Sequence, residues 1–194
     1  MPRLTEESKR RRMEQIADAA MRCFAREGFR DTTMADIIAE SGLSAGSIYS
    51  HFESKADLLR MVASEVLEAR VRGLIGAAAE SSEPVSPGVL FERVVGAVFE
   101  ADRARVLVQV WGEAPNDPEL AQIALGKVTQ VRELLTASLR PWAGAQGDAG
   151  EVRVAALTDV FLTCVQGYAV RRTLDPDVDA AALAARLGAM LDRA

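Results

Sequence analysis

The apolar residues of this chain recur at helical spacing and nowhere alternate for long, and that regularity does most to limit what the chain can fold into. Met13, Ile16, Ala17, Ala20, Met21 and Phe24 fall at i, i+3, i+4, i+7, i+8 and i+11 through a stretch free of glycine and proline. This spacing lays them along one face of a helix, which Gly28 ends. Thr33 then stands at an N-cap position, with Asp36 three residues on and Ile37 and Ile38 behind it, so a short helix starts there and stops at Gly42. Ser44 offers a second cap almost at once, and Ile48 and Phe52, four apart, give the stretch from Ser44 to Phe52 a one-sided apolar stripe. Ser54 caps a fourth helix, whose Leu58, Leu59, Val62, Val66 and Leu67 form a broad apolar face and which is expected to run on to about Ala79 as a connector.

The rest of the chain reads the same way. A loop at Glu80 to Gly88, with Pro84 and Pro87, precedes helices expected around Val89 to Ala101 and Arg103 to Glu113. Pro115 to Pro118 marks a turn. A long helix follows from about Glu119 to Leu139, then a flexible loop from Pro141 to Gly150, then helices from Glu151 to Thr173 and about Asp179 to Asp192. A 49% hydrophobic content over 194 residues is enough for a core, and an aromatic share of 5% with abundant Ala, Leu and Val suits packed helices. The expected fold class is all-α, with about nine helices.

Net charge is −5, yet its distribution matters more than its total: the first sixty residues hold ten basic and ten acidic side chains, so the whole negative excess lies later. A nucleic-acid partner would therefore need a local basic patch. Cys23 and Cys164 both fall within apolar helical patterns, which fits neither a disulfide framework nor a zinc ribbon, and suits a reducing compartment. The basic N-terminus leads into Glu14, Asp18, Arg22 and Arg26 instead of the apolar run of an export signal. A cytoplasmic protein with no membrane partner, cofactor or metal is expected.

Two short helices joined through Gly42, the second capped by Ser44, have the spacing of a helix-turn-helix from Thr33 to Phe52. An ordinary αα-corner has the same spacing. The polar groups tilt the balance, because Ser44, Ser47, Tyr49, Ser50, His51 and Lys55 crowd a helix of about two turns and all can donate hydrogen bonds to phosphate oxygens. The stretch Gly28-Phe29-Arg30-Asp31-Thr32-Thr33, Ile37-Ile38, Gly42-Leu43-Ser44, Gly46-Ser47-Ile48-Tyr49-Ser50-His51-Phe52 and Ser54-Lys55-Ala56-Asp57-Leu58-Leu59 resembles the TetR family of repressors. The likeness covers roughly Arg10 to Val62.

The resemblance implies an N-terminal three-helix DNA-binding domain (1–62) and a larger helical effector-binding and dimerisation domain (63–194). It implies that the helix from Ser44 to Phe52 enters the major groove and that Thr33, Tyr49, His51 and Lys55 hold phosphates, while Leu43, Ile48 and Phe52 pack inside. It also implies a homodimer on a (pseudo)palindromic operator and a small-molecule effector. Among the residues placed to read bases, Ala45, Gly46, Ser47 and Ser50, none has a side chain capable of a bidentate base contact. Specificity is therefore expected to lean on serine hydroxyls, on Ala45 against a thymine methyl, on the run Lys9, Arg10, Arg11 and Arg12, and on DNA shape. That basic run is otherwise a solvated helix start, although cations there oppose the helix dipole.

Two motifs mimic other chemistry. Gly42-Leu43-Ser44-Ala45-Gly46 matches the G-x-S-x-G pattern of hydrolases, but a nucleophile elbow follows a strand and here a helix precedes it. Asp175, Asp177 and Asp179 open like a calcium loop, which Ala180 and Arg186 then break at the glycine and glutamate positions. No catalytic set emerges. Phe99, Leu107, Gln109, Trp111, Phe161, Gln166 and Tyr168 are candidate pocket residues, with plain core packing as the competing account. Glu100, Asp102, Glu113 and Asp159 would favour a cationic effector if any pointed inward. Val152, Ala156, Val160, Cys164, Leu183, Leu187 and Met190 are candidate interface residues of the last two helices, where core packing accounts for each position equally well.

Overall fold

A computed structural model describes residues 6–66, 84–98, 101–145, 150–175 and 177–193. Among them it contains nine α-helices and no strand: α1 Glu6–Glu27, α2 Met34–Ser41, α3 Ala45–Tyr49, α4 Lys55–Val66, α5 Pro87–Val98, α6 Ala101–Glu113, α7 Pro118–Gly144, α8 Gly150–Leu174 and α9 Ala180–Leu191. A single 3₁₀ turn at Ala114–Asn116 links α6 to α7. The expected run of the fourth helix to Ala79, the loop residues 80–83, the pocket candidate Phe99 and Glu100 lie outside the described residues, and so does the side chain of Val152.

The local signals act where the sequence puts them. Gly28 and Gly42 have φ of +86° and +67°, a region that L side chains enter only at a penalty, and each ends a helix. Thr33 and Asp36 close a reciprocal capping box at the start of α2. Ser44 accepts from the Ser47 N–H to cap α3, and Ser54 and Asp57 exchange the same kind of bonds ahead of α4. Asp117 and Asp179 cap α7 and α9 through their carboxylates.

The expected loop from Pro141 onward is corrected: α7 passes through Pro141 and ends at Gly144. A proline inside a helix removes one hydrogen bond and crowds the preceding turn, at about 3 kcal/mol. Burial outweighs that, because Leu139 and Ala143 are buried and Trp142 packs on the same core, with the Arg153 guanidinium 5.6 Å from its ring centroid. Periodicity past a proline was the missed signal.

Two hydrophobic clusters form. The N-terminal one gathers Ile16, Ala20, Cys23 and Phe24 of α1 with Ile37, Ile48, Phe52, Leu58, Leu59 and Val62, and it is completed by Val106 and Val110 of α6 and Leu120 of α7. The C-terminal one centres on Phe91 and Phe161, whose rings meet edge to face at 5.2 Å. Within it α5 crosses α9 backbone to backbone: a Cβ on Gly88 would lie 2.4 Å from the Gly188 carbonyl oxygen. Both cysteines are free, and burial pushes the Cys23 thiol up.

Candidate nucleic-acid interface

The short helix α3 has no stability of its own, since five residues cannot hold an isolated helix. One face of α1 supplies what it lacks. Arg12, Gln15, Ala19, Arg22 and Arg26 recur at helical spacing, and Ala19 is fully buried. Around it Arg12 Nη1 donates to Ser47 Oγ at 3.3 Å and Gln15 Nε2 to the Ser41 carbonyl at 2.8 Å. Arg22 and Arg26 both grip Glu40, at 2.6 and 3.2 Å. The first helix thus sets the register of the two that follow. Sequence reading took Arg12 as part of a basic run and missed Gln15, Arg22, Arg26 and Glu40 altogether, because their partners lie 14 to 35 residues away.

On the outer surface Tyr49 is 51% exposed, and Ala45, Gly46, Ser50 and His51 are also exposed. Lys9, Arg10 and Arg11 lie exposed near the start of α1, with Arg10 in an i,i+4 pair with Glu14. Several expected phosphate ligands have other work. The Thr33 hydroxyl and N–H both donate to Asp36 Oδ2, at 2.6 and 2.8 Å, and Ser50 Oγ donates to the Ser47 carbonyl. Lys55 has the most partners within the fold: its ammonium donates to the carbonyls of Phe29, Arg30 and Thr32 at 2.7, 2.7 and 3.0 Å and lies 4.8 Å from the Phe29 ring centroid. Those bonds use all three ammonium donors, so Lys55 clamps the α1–α2 turn.

Gln109, a pocket candidate, also has partners at this turn. Its side chain accepts from the Phe29 N–H at 2.7 Å and donates to the Phe24 carbonyl at 2.9 Å, so it clasps the turn that Lys55 holds from the other side. A second tie joins α4 to α7, where Arg60 meets Asp117 at 2.8 Å, Asp57 at 2.9 Å and Glu119 at 3.2 Å.

Of the other pocket candidates, Leu107 and Phe161 are core, Trp111 packs partly buried against that core, and Gln166 is exposed. Among the described residues, Tyr168 lines two cavities beside α8. One, of about 510 Å³, lies against α9 with Cys164, Arg171 and Arg186; the other, of about 330 Å³, is bordered by Glu92, Gly96 and Arg172. Burial pushes the Tyr168 phenol up. Asp102 and Asp159 are exposed, while Glu113 is half-buried and pairs with Arg30. Among the interface candidates Val160 and Met190 are 48% and 62% exposed, Ala156 is exposed, and Cys164, Leu183 and Leu187 are half-buried against the core.

Three carboxylates brace these junctions. The Thr33 hydroxyl and then its N–H hold Asp36 below the ordinary carboxylate range, Arg22 and then Arg26 do so for Glu40, and the Leu120 N–H followed by Arg60 does so for Asp117. The fold therefore binds protons less readily than the unfolded chain, so the stability these groups contribute is complete above the ordinary range and is lost as pH falls through it, from about pH 4.5 downward. Thermal melts across that window should show an acid limb that Glu40→Gln and Asp117→Asn together flatten; an unaltered limb in the double variant would disprove the assignment.

A buttressed short helix after a three-residue turn, presented on a three-helix unit with exposed polar and basic groups, defines a helix-turn-helix DNA-binding protein. Comparison with known proteins agrees. The family model for bacterial regulatory proteins of the tetR family matches residues 16–62, and that for the C-terminal part of BetI-type transcriptional repressors matches residues 89–194. The chain belongs to the TetR family of transcriptional regulators. It is 38% identical over 73 residues to the HTH-type regulator YfiR of Bacillus subtilis, covering 38% of this chain and 36% of that one. It is 33% identical over 99 residues to the regulator TtgR of Pseudomonas putida, covering 51% and 46%. The aligned stretches span less than half the length of these relatives. A TetR transcription regulator from Haloarcula marismortui shares the fold over 95% of this chain and 97% of that one, with a TM-score of 0.79 at 21% identity.

Proposed function

We propose that the protein is a homodimeric, effector-responsive repressor that is released from a (pseudo)palindromic operator when a small molecule binds its C-terminal helices. Residues 1–62 act as the DNA-binding part and residues 63–194 as the effector-binding and dimerisation part, and the reading assigns the chain no catalysis. The cytoplasm is its place of work. The observation that carries this reading is the shared core: Val106, Val110 and Leu120 complete the cluster under α1 to α4, while Gln109 and Arg60 bond across the same junction. A shift of α6 or α7 on effector binding would therefore reach the α1–α2 turn, and an effector that prefers one arrangement moves the population toward it. The exposed apolar side chains Val160, Val170, Leu174 and Met190 on α8 and α9 support a second copy docking there.

Fluorescence-anisotropy titration of DNA flanking the gene, against random competitor and at two salt concentrations, tests the reading. Tight competitor-resistant binding is expected, and Tyr49→Ala should weaken it about tenfold or more, since a hydrogen bond to a charged oxygen contributes roughly 1.5–3 kcal/mol. Weak binding that salt erases would instead mark a helical protein-interaction adaptor built on this fold.

A further inference from the structure

The recognition helix has a gap in its chemistry. Ala45, Gly46, Ser47 and Ser50 carry no side chain able to bind a base edge at two points. Ser47 is the third residue of α3, in the N-terminal turn that a helix-turn-helix brings closest to base edges. Its N–H caps onto Ser44 Oγ, its carbonyl accepts from Ser50, and its hydroxyl oxygen accepts from Arg12 Nη1 at 3.3 Å.

Arg12 differs from the other arginines of α1 whose partners are described. Arg22 and Arg26 are taken up by Glu40, and Arg10 pairs with Glu14. Arg12 is half-buried, meets no carboxylate among the described residues, and commits one N–H to a neutral hydroxyl. Four guanidinium donors are left. Gln15, one turn further along the same face, donates to the Ser41 carbonyl at 2.8 Å, which ties α1 to the α2–α3 turn beside Arg12.

Resting on the DNA-binding reading above, we infer that Arg12, delivered from α1 and oriented by Ser47, makes the direct base contact that α3 lacks and reads one guanine in each half-site through its O6 and N7. The contact accompanies the recognition helix into the major groove. Arg12 reads and Ser47 positions it. A lysine at residue 12 keeps the charge and loses the planar fork.

The test starts from a duplex selected out of a random library by the full-length wild-type chain. Anisotropy titrations then compare that duplex with its single-base variants for wild type, Arg12→Lys, Arg12→Ala and Ser47→Ala, with melting temperatures recorded beside them. Wild type should favour G·C over the other pairs at one half-site position by roughly ten- to hundredfold. Arg12→Lys should fold and keep only part of that preference, because a lysine can still donate to O6 and N7 but lacks the planar fork, while Arg12→Ala should lower the preference to about threefold or less. Ser47→Ala should reduce the preference partway. The inference is overturned if Arg12→Ala keeps the guanine preference, whether or not it weakens all duplexes alike as loss of a phosphate contact would, or if the selected sites show no such guanine. A wild-type chain that selects no sequence at all overturns the DNA-binding reading itself.

Discussion

Lys55→Met is expected to lower the melting temperature by about 6–12 °C while leaving the salt dependence of DNA binding unchanged. The ammonium caps three carbonyls of one turn, and a hydrogen bond from a charged donor contributes roughly 1.5–3 kcal/mol. Water replaces part of this at a turn that is partly exposed, so the net loss is about 3 kcal/mol, and each kcal/mol is worth about 2–4 °C in a chain of this length. Lys55→Arg should fail to rescue, because a flat fork cannot aim at three convergent oxygens. A phosphate-ligand role for Lys55, which the resemblance implies, makes the opposite forecast: stability untouched and the salt slope reduced by about one. Melts and salt titrations of the same variant separate the two, and the second pattern would sink the clamp.

Gly88→Val should be as damaging for a different reason. A Cβ at Gly88 would stand 2.4 Å from the Gly188 carbonyl oxygen and 2.6 Å from Asp192 Oδ2, and that same aspartate accepts the Gly88 N–H at 2.7 Å. Backbone is on the other side, so no rotamer change relieves the clash. The α5–α9 crossing must open, with a loss of about 3 kcal/mol or more for overpacking against a rigid neighbour. Gly126→Ala, in open space on α7, is the control and should be neutral or stabilising by about 0.5–1 kcal/mol. Equal melting temperatures for Gly88→Val and wild type would show that the two helices do not meet this closely. Because α9 borders both cavities beside Tyr168, the valine variant should also blunt any effector response.

The α1–α2 turn is where these effects converge. Lys55 holds it from the DNA-binding unit and Gln109 from the C-terminal helices. Phe29 sits between them, its ring 5.7 Å from that of Phe24 and its backbone bonded on both sides. The α6 side chain Gln109 and the α4 side chain Lys55 thus meet at the Phe29 backbone, with Lys55 also bonded to the Arg30 and Thr32 carbonyls just ahead of α2.

What the amino-acid sequence determined by itself was everything governed by neighbours within a turn or two. The caps at Thr33, Ser44 and Ser54, the glycine stops at 28 and 42 and the apolar stripes of α1 and α4 were legible because each depends on spacing alone. Pro141 reads as a helix end for the same reason, since its local penalty is visible and the burial of Ala143 and packing of Trp142 that outweigh it are not. Only the tertiary structure decided what the polar side chains do. Residue type alone points Lys55, Gln109 and Arg12 to phosphate, pocket and basic patch, and says nothing of the partners within the fold, which lie 23 to 85 residues away in the chain. A long polar side chain satisfies whichever group folding brings within about 3 Å of it, and that distance is a property of how the helices pack.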